Sequence, residues 1–545
     1  METDVYKLPL LLETSVAKYG DRTALITEDE RWTYKEVADQ VDLYARALVA
    51  QGVGKGTRLG LLLENTPEWI FFSFAATGLG AIVSPISTFA RQDEIAYQTR
   101  HSDVQHLFMS ARFLKADYQA VIETLVPELQ TASGGSLYND SLPALRKVTI
   151  RNSDQLPAAA QSWDDFLASA DSVPLKVVQE MRADVDPEDE CYLLYTSGTT
   201  ANPKGVYHRH KSIARNGTLI GRHQQLNEED VVWFYYPFFF CAGCVNVLLG
   251  TFSSGASLIV EPTFSPESAI NLIDRENATT WHLWPHQVKA VVKHPDWQTK
   301  DHSSLHKGTG SLDLMLKVGD RFGGVGGVNM YGMTETCTAF ACTHADEPRE
   351  FRSRTCGKVM GDNQVRIVDS DTGEELEMGS EGEICVKGPS VMRRYYKMDP
   401  MTTFDEDGFF HTGDLGHLDE NSRLHFNQRK KDMIKSGGIN ISPADIESTL
   451  SKLEGAREVY AFPLPGGDRG EIVGAALVLA EDDYDRDKIV EYCRDKFSAH
   501  KRPAKILLIR KDDIPMTGSG KVQKVKLAEM LQSESEKSSD KCLVV

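Results

Sequence analysis

The chain lacks any long uninterrupted apolar run. Its most apolar stretch, Trp69 to Ile86, is broken by Ser73, Thr77, Gly78, Gly80, Ser84 and Pro85, so it reads as a buried helix, a turn and a strand and not as a membrane span. Net positive charge is also missing: 79 acidic residues against 60 basic ones leave −19, the wrong sign for wrapping nucleic acid or lying on an anionic membrane. The start, Met1, Glu2, Thr3 and Asp4, has neither the basic residues nor the apolar core of a secretory leader, and a cytoplasmic location is the expectation. A disulfide framework is absent too, because the nine cysteines are odd in number and scattered, which suits a reducing compartment. Cys241 and Cys244 have redox-pair spacing, but no second pair exists for a metal site and aromatics surround them, so packing is the expected role. No internal repeat is visible.

What is present is length and rhythm. At 545 residues the chain exceeds one core, since domains run to about 100–200 residues. A helix is expected through Val41–Gln51, a strand at Leu59–Leu63 and a helix start at Asn65, Thr66, Pro67 and Glu68. The alternation continues with a strand at Ser257–Val260, a helix at Glu267–Glu276 and a strand at Thr279–Leu283, which predicts α/β layers. From about Gly379 the texture shifts to short strands, Glu383–Lys387 and Leu424–Asn427, followed by the charged run Arg429, Lys430, Lys431 and Asp432. A boundary is expected there, with residues 1–430 before it and 431–531 after it. Residues 532–545 are polar and low in complexity, and a disordered tail is expected. Cys542 to Val545 has the shape of a prenylation site, but valine is not a usual last residue, and an unmodified protein is expected.

The sharpest local feature is Tyr195, Thr196, Ser197, Gly198, Thr199, Thr200 and, a few positions on, Lys204 and Gly205, all after the apolar Cys191–Leu194. Hydroxyls, backbone N–H groups and a lysine suit polyphosphate oxygens. A bare cluster of this kind is equally often a polar turn; the lysine and the preceding strand favour the phosphate reading. Gly52 to Thr57 imitates the end of a nucleotide-kinase loop but fails on spacing, with Val49 where the first glycine belongs and Gly56 after the lysine. It reads as a turn.

Over nearly its whole length the sequence resembles the adenylate-forming superfamily of acyl-CoA synthetases, luciferases and peptide-synthetase adenylation domains. The Tyr195–Gly205 segment resembles that family's phosphate loop, and Tyr331, Gly332, Met333, Thr334, Glu335 and Thr336 resemble its second signature. The resemblance implies that Tyr331 meets adenine, Thr334 the α-phosphate and Glu335 a magnesium ion. Gly308, Thr309 and Gly310 resemble, more loosely, the segment lining the adenine and acyl sites. Asp414, within His411–Leu415, falls where the family holds the ribose diol, Arg429 at a second ribose contact and Lys431 at the domain hinge. Ser436 to Pro443, with Gly437, Gly438 and the preceding Lys435, resembles the loop that serves thiol transfer. Pro515 to Lys521 resembles the terminal motif whose lysine enters the active site. The implied fold is a large N-terminal domain of layered α/β subdomains plus a small mobile α+β C-terminal domain. The implied activity is ATP-dependent conversion of a small carboxylic acid to an acyl-adenylate, then transfer to coenzyme A, with Thr334, Glu335 and Lys521 as the catalytic set and magnesium as the metal.

Charge explains that residue set. A carboxylate attacking an anionic triphosphate needs cations that bring like charges together and stabilise the transition state. The acyl pocket implied by the resemblance comprises Tyr236, Phe239, Phe240, Gly243, Trp284, Gly310 and Met333. Phe240 stands where histidine is common, and Gln428 where glycine or aspartate is. With Tyr235, Phe238 and Trp281 nearby in pattern, an aryl or short-to-medium acid is expected, although rings of this kind also fill cores. A carrier-protein thiol or oxygen as acceptor, and a binding protein without activity, share the same motifs.

Overall fold

The computed structural model describes residues 6–131, 137–196, 203–309, 327–429, 433–436, 439–441, 443–466, 471–479, 485–497, 501–517, 521–537 and 541–545, with the backbone alone of 285–286, 429, 435–436 and 439–440. Two large sheets form its centre. In one, the strands Glu190–Tyr195, Ile82–Pro85, Arg58–Leu62, His106–Ser110, Lys147–Arg151 and Gln161–Ser162 run parallel in that order. At its other end Gly205–Arg209 folds back antiparallel on Glu190–Tyr195, and Arg394–Tyr395 adds the edge. The second sheet orders Lys307–Thr309, Thr280–His282, Val231–Phe234, Ser257–Ile259 and Thr23–Ile26 in parallel, with Arg31–Thr33 antiparallel at the edge.

The stretch that was too broken to span a membrane lies between these sheets. It forms the helix Pro67–Gly78, buried at every residue from Trp69 on, and the strand Ile82–Pro85. A helix apolar on all sides has to be covered on all sides. Its core cluster accordingly takes Leu59, Leu61 and Val83 from one sheet and Leu25, Val232 and Leu258 from the other. Proline at the first helical position fixes φ where the N–H has no partner in any case. The expected turn at Gly52–Thr57 is a turn, with φ of +82° at Gly52 and +79° at Gly56, and it feeds the strand Arg58–Leu62.

An antiparallel sheet of Gln364–Val368, Gly382–Lys387, Phe410–Leu418 and Leu424–Arg429 follows. Beyond residue 433 the chain builds cores of its own: two hydrophobic clusters consist of residues from Ile434 onward. Their sheet orders Ala456–Pro465, Glu471–Leu479, Lys505–Leu508 and Cys542–Val544.

The end of the chain departs from expectation. The helix Lys524–Glu536 runs through the start of the stretch taken as a disordered tail, burying Leu527 and Leu531, and Cys542–Val544 pairs antiparallel with Lys505–Leu508. Leu527 and Leu531 anchor the helix from just ahead of residue 532, and the polar residues that follow continue the same helix. Cys542 is buried in that strand. All nine cysteines are free and buried, Cys241 and Cys244 included. Among the described residues no helix is long and apolar enough to cross a membrane.

The helix His210–His223, which continues from the strand Gly205–Arg209, packs closely on the helix Leu248–Ser254. A Cβ at Gly217 would lie 2.5 Å from the Leu249 Cβ and 3.1 Å from the Val245 carbonyl. Gly217→Val is therefore expected to cost about 1–3 kcal/mol through overpacking, outweighing a helix-propensity gain of a few tenths of a kcal/mol, roughly. A lowered midpoint in thermal unfolding checks this; an unchanged midpoint would mean the helices tolerate a wider spacing.

Candidate active site

The antiparallel pair Glu190–Tyr195 and Gly205–Arg209 ends with Tyr195 opposite Gly205, so Thr196 and Lys204 continue from the end of that hairpin. Ser197, Gly198, Thr199 and Thr200 lie outside the described residues. That end is closed by Thr196 N–H donating to the Lys204 carbonyl at 3.0 Å and Lys204 N–H donating to Thr196 Oγ1 at 3.2 Å. The helix Gln92–His101 holds both flanks: Tyr97 OH donates to the Pro203 carbonyl at 3.0 Å, and His101 Nδ1 lies 2.9 Å from Tyr195 OH.

Lys204 Nζ sits 4.5 Å above the Tyr395 ring. The hydroxyl of that ring donates to Glu335 Oε1 at 2.6 Å. Burial, with the Glu335 carboxylate beside it, raises the Tyr395 pKa, so the phenol keeps its proton and remains a donor. Tyr331 repeats the arrangement: its OH donates to Asp414 Oδ2 at 2.8 Å, and burial together with Asp414 raises its pKa. Its ring stacks on Phe426 with centroids 5.5 Å apart. Glu335 and Asp414 are both buried. Gly332 has no room for a side chain, since a Cβ would stand 2.4 Å from the Thr338 carbonyl. Met333 packs against the cluster that contains Tyr331. Asp414 lies directly opposite Arg429 across two strands; the Arg429 side chain is outside the description.

Thr309 Oγ1, beside Gly308 on the strand Lys307–Thr309, bonds His282 Nδ1 at 2.6 Å and stands 3.4 Å from Tyr236 OH. Burial pushes the His282 imidazole down to about 3, so it is neutral here. Tyr236 OH donates to the Leu283 carbonyl at 3.0 Å, and its ring lies 4.5 Å from Trp284. Gly310 is outside the described residues.

Phe239 and Phe240 line a cavity of about 200 Å³ together with Phe89, Tyr195, Thr196 and Pro203. Thr517 and Gln523, from the C-terminal part, close the same cavity. Between them the chain turns back, with Lys521 N–H donating to Thr517 Oγ1 at 3.1 Å and Thr517 N–H donating to the Lys521 carbonyl at 2.7 Å. Lys521 thus lies in the chain between two residues that line the cavity with Thr196 and Pro203. Other rings serve the core instead: Phe238 stacks on Trp69 at 4.9 Å, Tyr235 packs on Phe264 at 5.3 Å and Trp281 on Trp297 at 5.8 Å. Gly243 lets backbone meet backbone, because a Cβ there would lie 2.3 Å from the Pro237 carbonyl. Lys435 belongs to a short hairpin, Ile434–Ser436 with Ile439–Ile441, whose side chain at 435 is not described. Lys431, Gly437 and Gly438 are outside the described residues. Tyr395 and His282 belong to none of the motifs; each acts through a partner more than a motif's length away, and no local pattern marks them.

Comparison with known proteins adds the decisive observation: the model of the AMP-binding enzyme family matches residues 12–396, and that of the AMP-binding enzyme C-terminal domain matches 445–521. The chain belongs to the AMP-binding enzyme family. Within this adenylate-forming superfamily it is acyl-CoA ligase-like. It is 32% identical over 529 residues to the Bacillus subtilis (strain 168) protein named "Putative acyl-CoA synthetase YngI", covering 95% of this chain and 96% of that one. It is 27% identical to the mitochondrial medium-chain acyl-CoA ligase ACSF2 of Rattus norvegicus, covering 96% and 87%. Its fold matches ATP-bound MatB from Rhodopseudomonas palustris with a TM-score of 0.80 at 24% identity, over 96% of this chain and 99% of that one. The expected large α/β domain with a smaller C-terminal domain is borne out.

The tyrosine clamps give a direct test. Tyr395→Phe leaves the ring under Lys204 and removes the hydroxyl from the Glu335 carboxylate, a loss expected to lower the unfolding free energy by about 1–3 kcal/mol. Urea unfolding measures it, and an unchanged free energy would show that Glu335 does not depend on that hydroxyl.

Proposed function

We propose that this AMP-binding enzyme joins a small carboxylic acid to ATP, forming an acyl-adenylate and releasing pyrophosphate, and then passes the acyl group to the thiol of coenzyme A, releasing AMP. The observation that carries the reading is convergence. The Lys521 turn, the base of the phosphate hairpin and the Phe239–Phe240 wall meet at one cavity, and Lys204 shares Tyr395 with Glu335.

In the first step the substrate carboxylate attacks the α-phosphorus, a bond to the bridging oxygen breaks, and pyrophosphate leaves with the charge. The hairpin donors Thr196, Ser197, Gly198, Thr199 and Thr200 and the cation Lys204 receive the outer phosphates. Tyr331 and Gly332, with Gly308 and Thr309, receive adenine, Asp414 and Arg429 the ribose, and Thr334 the α-phosphate. Lys521 bridges the attacking carboxylate and the α-phosphate, where charge is changing. Magnesium fits this donor set: one buried carboxylate, Glu335, is what an ion held chiefly by substrate phosphates requires, and among the described residues no cluster of three or more ligating side chains offers a protein cage. When bound, the ion neutralises phosphate charge.

The acid is placed against Tyr236, Phe239, Phe240, Gly243, Trp284, Gly310 and Met333, a set that suits an aryl or short-to-medium chain. The medium-chain acids in the name of the rat relative are of that size. In the second step the thiol sulfur attacks the acyl carbonyl and AMP departs as the leaving group, so no protein nucleophile is needed. The joint between residues 1–430 and 431–531, at Lys431, carries Lys521 away and brings Lys435, Gly437 and Gly438 in.

Lys521→Ala separates the two steps. Adenylate formation from acid and ATP is expected to fall by at least about 10²–10³-fold, the usual cost of one transition-state donor. Conversion of supplied acyl-adenylate and coenzyme A to thioester is expected to stay close to the wild-type rate. Equal slowing of both half-reactions would contradict the two-conformation reading, and thioester formation only on a carrier protein would replace coenzyme A as the acceptor.

A further inference from the structure

His208 lies on the strand Gly205–Arg209, four residues past Lys204, outside every motif considered so far and fully buried. Its Nε2 is 2.7 Å from the Thr334 carbonyl oxygen and its Nδ1 is 3.0 Å from Cys337 Sγ. A carbonyl oxygen can only accept, so Nε2 carries the proton and the Nδ1 lone pair takes the Cys337 S–H. Both partners are neutral: burial pushes the imidazole down to about 4 and the thiol up.

The segment they hold is strained. Cys337 has φ of +51° and Thr338 +79°, two consecutive side-chain-bearing residues in the left-handed region that L-residues disfavour. Backbone bonds from Cys337 N–H to the Thr334 carbonyl at 3.3 Å and from Thr338 N–H to the Met333 carbonyl at 3.1 Å hold the turn from inside. From outside, Asn216 Nδ2 donates to the carbonyls of Cys337 and Ala339. His208 joins the two ends of the turn, Thr334 and Cys337, to the strand that carries the phosphate hairpin.

We propose that His208, through its paired bonds to the Thr334 carbonyl and the Cys337 thiol, is a positioning residue that sets the Thr334 hydroxyl against the α-phosphate of the nucleotide. This rests on the assignment of Thr334 to the α-phosphate made above. A strained turn released at one end can rotate its first residue while the adenine and ribose contacts on Tyr331 and Asp414 stay in place, so the loss falls on phosphate recognition alone.

The test compares AMP with adenosine by titration calorimetry on the full chain. His208→Leu removes both bonds and is expected to raise the Kd for AMP about tenfold while leaving that for adenosine within about twofold, because only AMP presents a charged acceptor to the turn. His208→Gln, whose amide can donate to the same carbonyl, is expected to bring the AMP value back to within about threefold of wild type. Thermal unfolding of each variant accompanies the titrations. A parallel loss of AMP and adenosine, no loss of either, or a glutamine variant no better than leucine overturns the proposal. Should His208→Leu fail to fold, Cys337→Ala decides in its place, with an AMP-selective loss expected and an equal loss overturning it. A wild-type protein that binds AMP but releases no pyrophosphate with any acid would sink the ligase reading and leave the His208 assignment to the AMP and adenosine comparison.

Discussion

Two buried carboxylates, each held by one tyrosine hydroxyl, are the constraint on which the rest of the site depends. Withdrawing a carboxylate from water is costly unless hydrogen bonds replace the lost solvent. Here Tyr395 serves Glu335 and Tyr331 serves Asp414. The two pairs cross: the Tyr331–Thr336 segment supplies a donor to the strand Phe410–Leu418 and takes one from the strand Arg394–Tyr395. Because Arg394–Tyr395 also pairs with Gly205–Arg209, the signature segment, the small antiparallel sheet and the strand that follows Lys204 are fastened to one another. The same tyrosine ring lies under Lys204, so cation and carboxylate are registered by one side chain.

A chain with net charge −19 that handles polyphosphate must solve its electrostatics locally. Long-range potential opposes an anionic ligand, so under the proposed roles the cations that count are local ones, Lys204 beside the hairpin and Lys521 from the C-terminal part. Delivering the second cation from a separate core suits a two-step reaction, since a group needed for attack on phosphorus need not remain for attack on the acyl carbon. Residues as distant in sequence as Thr196 and Gln523 line one cavity.

Much of the fold was legible because it is written in local patterns. Alternating apolar strands, proline at the head of the helix Pro67–Gly78 and the glycines of the Gly52–Thr57 turn each act within a few residues. The Tyr195–Gly205 cluster was legible from its own hydroxyls, glycines and lysine, whereas Glu335 or Lys521 in isolation would have read as a loop carboxylate and a surface lysine. What escaped was long-range or averaged away. Tyr395 sits in Arg393, Arg394, Tyr395 and Tyr396, which looks like an exposed basic and aromatic run, and its role depends on a carboxylate 60 positions earlier. The rings around Pro237 divide in a way composition does not show: Phe238 stacks on Trp69 in the core while Phe239 and Phe240 line the cavity, and in sequence the two look the same. The last strand, Cys542–Val544, gains its order from pairing with Lys505–Leu508 and not from its own composition.

Acyl-adenylate formation is the step on which the proposed reaction turns. The direct measurement is mass spectrometry of the products formed from ATP, magnesium and a panel of aryl and short-to-medium carboxylic acids with no thiol added. At least one acid is expected to yield enzyme-bound acyl-AMP together with one equivalent of pyrophosphate. Pyrophosphate release that ignores the acid, or release of ADP and orthophosphate instead, would contradict it.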